Sequence, residues 1–282
     1  MNNCLEIKKV LNNNVIIANH PKHKEVVVIG KGIGFGKKAK DVLEQQQIEK
    51  MFILKNEHDR EQYKLLVPHV SEQFIALMND IMLFIQEKAQ APLNEHIHIA
   101  LTDHISFALK RLKQGLTIDN PFLVETKMLY PKEYEIAAGV VQMLNSRLQI
   151  TLPEGEIGFI ALHIYSSLTN SELASVNQNS RLIVQLVTLI ETNLHLTLDP
   201  ESIHYLRLIR HLQYAIERVK KGEKVEEAQG FADLLKAEYP VYYNLAWKLV
   251  KVMQKELQLP VYEAESIYLT MHLQRLVKAE RV

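Results

Sequence analysis

The 282-residue chain has one cysteine, one tryptophan, nine prolines and ten glycines. Each shortage excludes something. The lone Cys4 can close no internal disulfide, which fits a reducing cytoplasm better than an oxidising compartment. No cysteine cluster and no HExxH occur, so the usual zinc frameworks are missing and no metal is expected. No apolar run approaches the ~18 residues of a membrane span, and MNNCLEIKKV does not read as a signal peptide. The expectation is a soluble, cytoplasmic protein with no membrane insertion. A surplus of one charge is also lacking, since 33 basic residues balance 33 acidic ones. The balance is uneven along the chain. Residues 1–40 hold eight lysines against Glu6 and Glu25, a local +6 that leaves −6 for the rest. A basic module on an acidic body points to a polyanion partner, or to no more than a solvated lysine face.

Two kinds of chain follow one another. Up to about residue 56, LEIKKVL, NVIIANH, KEVVVIG and KMFILK are short β-branched runs. Turn formers separate them: Asn12-Asn13-Asn14, His20-Pro21 and the glycines. Four strands predict a small antiparallel sheet, marginal alone and in need of a partner. From residue 58 the apolar spacing becomes helical, with stripes over 72–88, 97–112, 133–148, 156–168, 181–194, 201–220, 241–257 and 263–278. This part is expected to be all-α.

The helical part repeats itself. Leu101, His104, Ala108, Arg111, Lys113 and Gly115 recur 107 residues later as Leu208, His211, Ala215, Arg218, Lys220 and Gly222. Tyr130-Pro131-x-x-Tyr134 returns as Tyr239-Pro240-x-x-Tyr243, and Glu154-x-Glu156…His163 as Glu263-x-Glu265…His272, now 109 residues apart. The fold class is therefore multidomain and mainly α: a small antiparallel β domain (1–59) followed by two homologous helical-bundle domains (60–172 and 173–282).

Four of the ten glycines alternate within Gly30–Gly36. Gly34-x-Gly36-x-x-Ala39 fits the dinucleotide fingerprint, and Glu57 stands about where a ribose-binding acid belongs. The βαβ units that such a site needs do not follow. A P-loop fails as well, because Lys31 replaces its first glycine and Lys38 its Ser/Thr. Alternate glycines let another backbone come close. With Phe35 as a stacking ring and Lys31, Lys37 and Lys38 as phosphate contacts, the set suits RNA. A glycine-rich hairpin with a core phenylalanine remains the plain alternative.

His104, His163, His211 and His272 lie on or beside apolar stripes. One such histidine is ordinarily a hydrogen-bonded interior residue. The same residue at matched places in two repeats implies a shared role. Glu95-His96-Ile97-His98 alternates in a way that splits metal ligands across a helix. Acid–base catalysis would need partner groups that the sequence does not display, so no catalytic residue is assigned. What remains is a phosphoryl group carried on the imidazole, which brings the charge of a switch. Arg111 and Arg218, seven residues after their histidines, are candidates to receive that charge.

LNNNVIIAN, EVVVIGKGIGFGKK, EHIHIALTDHISFALKR, LPEGEIGFIALHIYSSL, HYLRLIRHLQYAIER and ESIYLTMHLQRL resemble the BglG/SacY/LicT transcriptional antiterminators, in particular the glucose-operon branch of Gram-positive bacteria. The resemblance covers essentially the whole chain. It implies an N-terminal domain that binds a hairpin in nascent mRNA as a homodimer and keeps the overlapping terminator from forming. RNA contacts fall by motif match on Asn14, Gly30, Lys31 and Phe35, with Gly32 in support. Two phosphotransferase-regulated domains are implied, with phosphorylation at His104 and His163 in the first and at His211 and His272 in the second. The implied phosphoryl donors are a glucose-specific phosphotransferase permease component, which silences through the first domain, and HPr, which often activates through the second. Asp103 is implied to orient the region around His104. No cofactor is implied, and the protein is expected not to be an enzyme. Two departures stand out: Lys31 sits where many relatives have arginine, and Arg210 stands where the first repeat has Asp103. The competing readings are a histidine phosphoryl-carrier with an accessory β domain, and a DNA-binding repressor, for which no helix-turn-helix pattern is present.

Overall fold

The computed structural model describes residues 5–53, 61–62, 65–66, 70–94, 96–223 and 231–280. Cys4, Glu57 and the expected 59/60 boundary lie outside them. The chain divides into two compact units: Met1–Asn120 with Lys132–Ser171, and Pro121–Pro131 with Glu172–Val282.

The first unit opens with a sheet. Its strands are β1 (Leu5–Val10), β2 (Val15–His20), β3 (Lys24–Ile29), β4 (Val42–Leu43) and β5 (Lys50–Ile53), antiparallel in the order β4-β1-β2-β3-β5. The four expected runs are present, with β4 added. Two residues long, it is too short to carry an alternation. Val15–Ala18 and Val26–Ile29 are buried throughout, so the centre of the sheet is covered on both faces. One face packs Ile16, Ala18, Val26 and Val28 against Leu5, Ile7, Ile33 and Leu43. The other packs Val15, Ile17, Val27 and Ile29 against Ile75 of α1 (Glu72–Ala89) and Ile99 of α2 (His96–Lys113). The small sheet obtains the apolar partner it needs from the helices that follow it, each such side chain contributing about 1.5–3 kcal/mol on burial.

With α4 (Pro131–Leu148) and α5 (Gly155–Thr169), these helices close a bundle around Met78, Ile81, Ile85, Leu101, Ile105, Val140, Leu144 and Ile160. The second unit holds α3 (Leu123–Leu129), α6 (Leu173–Leu194), α7 (Ile203–Lys221), α8 (Phe231–Glu238), α9 (Pro240–Leu257) and α10 (Glu263–Glu280). Its core is built from Ile183, Leu186, Ile190, Ile209, Leu212, Ile216, Leu249, Met253 and Leu273.

Local chemistry sets the helix ends. Ser71 Oγ accepts from the Phe74 N–H and Ser202 Oγ from the Tyr205 N–H, capping α1 and α7. Pro131 and Pro240 begin α4 and α9, where a missing N–H costs nothing. Gln149 and Gln258, 109 residues apart, both end their helices in the left-handed region at φ 54. Tyr134 O–H donates to Glu154 Oε1 and Tyr243 O–H to Glu263 Oε1, each at 3.3 Å. The repeat seen in the sequence thus extends to individual hydrogen bonds.

Candidate functional site

Gly30–Gly36 leaves β3 as successive turns rather than as a strand. The Asn12–Asn14 turn holds it in place. Asn12 Oδ1 accepts from the N–H groups of Asn14 and Val15, both at 2.9 Å, and Asn14 Oδ1 accepts from the Gly32 N–H at 2.6 Å. The carbonyls of Asn14 and Asn13 accept from Gly30 N–H (3.1 Å) and Gly34 N–H (2.8 Å). A Cβ on Gly34 would lie 2.3 Å from the Asn12 carbonyl oxygen, and one on Gly30 2.2 Å from that of Gln47. Gly32 has room for a side chain but a φ of +67°. The backbone that Gly30 and Gly34 admit is therefore the chain's own. At these two positions the close approach is intramolecular, whereas Gly32 and Gly36 have open space beside them.

The five expected RNA residues converge on this loop with unequal roles. Asn14 spends its side-chain oxygen on the loop, while Gly30 and Gly32 shape it. Ile33 is buried beneath, and Phe35 stands 76% exposed above. Lys31 is exposed, and its N–H donates to Glu49 Oε1 at 3.3 Å. An exposed ring and an exposed lysine on one loop locked by backbone hydrogen bonds can stack a base and contact phosphate at little ordering cost.

In the first helical repeat, His104 on α2 and His163 on α5 meet with ring centroids 5.0 Å apart. His104 Nε2 lies 2.9 Å from Glu156 Oε2, and Arg111 Nη2 donates to Glu156 Oε1 at 2.9 Å. Glu156 is buried, so this arginine–carboxylate pair works in a setting where charge-assisted bonds count fully. Burial pushes the His163 imidazole down to about 3, and the nearby His104 and His96 add to the effect. Asp103 is exposed. The carboxylate that orients His104 is Glu156, not its neighbour in sequence.

The second repeat uses the same parts differently. Arg218 Nε and Nη2 donate to both oxygens of Glu265, at 2.8 and 2.7 Å. That fork occupies the carboxylate. His211 instead stacks on His272, centroids 3.4 Å apart and planes 24° from parallel. Burial lowers both imidazoles, His272 to about 4, with its partner ring and the guanidinium groups of Arg275 and Arg218 adding to it. Arg111 and Arg218, the candidates to receive a new charge, each already hold a buried glutamate.

Residues 5–61 match the CAT RNA binding domain, and residues 79–167 and 184–276 each match the PRD domain. The chain is 55% identical over 276 residues to the PtsGHI operon antiterminator of Bacillus subtilis, covering 98% of each chain. This chain belongs to the CAT–PRD antiterminator family. The GlcA/glcB genes antiterminator of Staphylococcus carnosus is 44% identical, over 95% of this chain and 94% of its own. A solved crystal structure of GlcT CAT-PRDI is similar at a TM-score of 0.54 and 57% identity, over 59% of this chain and 99% of that one. Among the described residues no helix is long and apolar enough to cross a membrane, and no group of side chains is arranged to hold a metal ion.

In the CAT–PRD frame, the loop residues lie in the CAT match and one histidine pair lies in each PRD match. Sequence reasoning used Glu156 and Glu265 only as landmarks of the repeat. Their matched recurrence, in step with Arg111 and Arg218, was the available signal for a paired role.

Proposed function

We propose that this chain is an RNA-binding transcription antiterminator of a glucose-uptake operon, acting as a homodimer in the cytoplasm. Its target is a hairpin in nascent leader mRNA. Lys31 and Phe35 contact the RNA from a loop that Asn14, Gly30 and Gly32 hold in shape. His104, His163, His211 and His272 accept phosphoryl groups, the first pair from a glucose-specific permease component and the second from HPr. The protein is a receiver of these groups, not an enzyme.

The observation that carries this reading is the meeting of two histidines in each repeat, joined to a loop that exposes Phe35 and Lys31. A phosphoryl group on His104 would place new negative charge against Glu156, 2.9 Å from the ring. Repulsion there opposes the existing packing and supports a switch that separates the dimer. The test is a gel shift of the full chain with a leader hairpin RNA. Binding is expected, and absence of binding even at low salt rejects the reading.

A further inference from the structure

The two histidine sites differ in one respect that their shared ancestry does not explain. The cleft over His211 and His272 is lined by His204, Arg207 and Arg275 as well, and by no carboxylate. Glu265, the counterpart of Glu156, has both oxygens taken by Arg218. Among the described residues neither Arg207 nor Arg275 forms an ion pair, and both are exposed at the rim. Their positions in the first repeat, 107 and 109 residues earlier, are Ala100 and Ser166, and that of His204 is Ile97. The first repeat therefore offers a carboxylate to its histidine pair, whereas the second offers two guanidinium groups.

We infer that the second-repeat cleft is an oxyanion site, which binds a phosphate dianion between Arg207 and Arg275 over the unmodified His211 and His272. Arginine forks match a tetrahedral oxyanion with two parallel N–H···O bonds, and here two such side chains line one rim with no carboxylate among the lining residues. The same direction of field is visible in His211, whose imidazole is held below its ordinary value by burial and by Arg218, Arg275 and Arg207. The cleft can take its phosphate either free from solution or as a phosphoryl group borne by one of the two rings. Binding of the free ion does not require that either histidine be phosphorylated, so this inference and the functional reading fail separately.

The experiment titrates the full-length, unphosphorylated chain with inorganic phosphate at constant ionic strength. It follows the histidine ring resonances by NMR in selectively labelled protein. Saturable shifts are expected at His211 and His272 and none at His104 or His163. Arg207→Gln/Arg275→Gln should raise the dissociation constant at least tenfold, and Arg207→Lys/Arg275→Lys should restore part of it. Arg210→Gln, an exposed change outside the cleft, should leave it within twofold. Non-saturable shifts, equal shifts at His104, or equal weakening by Arg210→Gln would each overturn the inference. The source of the anion is read in a second arm. On the chain phosphorylated at histidine by phosphoramidate, loss of the two arginines should shorten the lifetime of the second-repeat phosphohistidines and leave that of the first repeat unchanged. An unchanged second-repeat lifetime confines the site to free phosphate.

Discussion

His211 lies 3.4 Å from His272, centroid to centroid, with the two rings nearly parallel. Rings this close cannot both carry a proton cheaply, and in the first repeat burial, with the His104 ring adding to it, holds His163 down to about 3. The folded state therefore favours the neutral imidazole at His163, His211 and His272.

Acid should destabilise the fold well above the range where carboxylates titrate. His163 titrates near 6.5 when unfolded and at about 3 when folded, and His272 at about 4. Below pH 6.5 the unfolded chain binds protons that the folded chain does not, so stability present at pH 7 is lost as the pH falls towards these values. The slope is at most about 1.4 kcal/mol per pH unit for each histidine, and less where water reaches the ring. Denaturant unfolding at pH 7.5 and 5.0 should show the loss, and His163→Asn should flatten it.

The arginine–glutamate pairs should support both bundles unequally. Glu156→Gln leaves Arg111 without its counter-charge and is expected to cost about 1–3 kcal/mol. Glu265→Gln should cost less, because the Arg218 side chain is 30% exposed against 14% for Arg111. Urea denaturation of the two variants makes the comparison, and equal costs would contradict it.

Two glycine substitutions in one loop should separate two kinds of constraint. Gly34→Ala drives a methyl to 2.3 Å from the Asn12 carbonyl and should abolish the loop's shape and its RNA binding together. Gly32→Ala meets only a left-handed φ and should cost about 1–2 kcal/mol. Thermal melts and filter binding on both variants check the order.

Phe35→Ala should weaken RNA binding by about 1–3 kcal/mol through lost stacking without changing the melting temperature, since the ring is 76% exposed. Lys31→Ala should instead lower the salt dependence of binding by about one phosphate contact. Affinities measured over a salt series distinguish the two roles.

How much of this was legible in the sequence depended on length and separation. The eight long helices carry enough turns for their stripes to stand out; seven formed close to where the stripe lies, while α6 begins at Leu173, eight residues before its expected stripe. The helices α3 and α8, of 7 and 8 residues, are too short for a periodic signal, and α8 buries Leu235 alone. They too occupy matched positions, each ending just before a Tyr-Pro pair. The histidine pairs followed from the repeat. Their carboxylate partner did not, because Glu156 is 52 residues from His104 in sequence and Asp103 is adjacent. Adjacency along a helix places side chains on different faces, whereas packing of α5 on α2 decides which acid meets the ring. In the glycine loop the need for close backbone approach was readable. Which backbone approached was not, since Asn12 and Gln47 reach Gly34 and Gly30 only through the folded sheet.

The most direct test of the central claim measures hairpin binding before and after phosphorylation. The full chain is incubated with the glucose permease component and its phosphoryl donors, phosphorylation at His104 and His163 is verified by peptide mapping, and RNA binding is measured by fluorescence anisotropy. The account predicts tight binding and a dimer beforehand, then at least tenfold weaker binding with dissociation of the dimer. Unchanged affinity and an intact dimer with both histidines phosphorylated would contradict it.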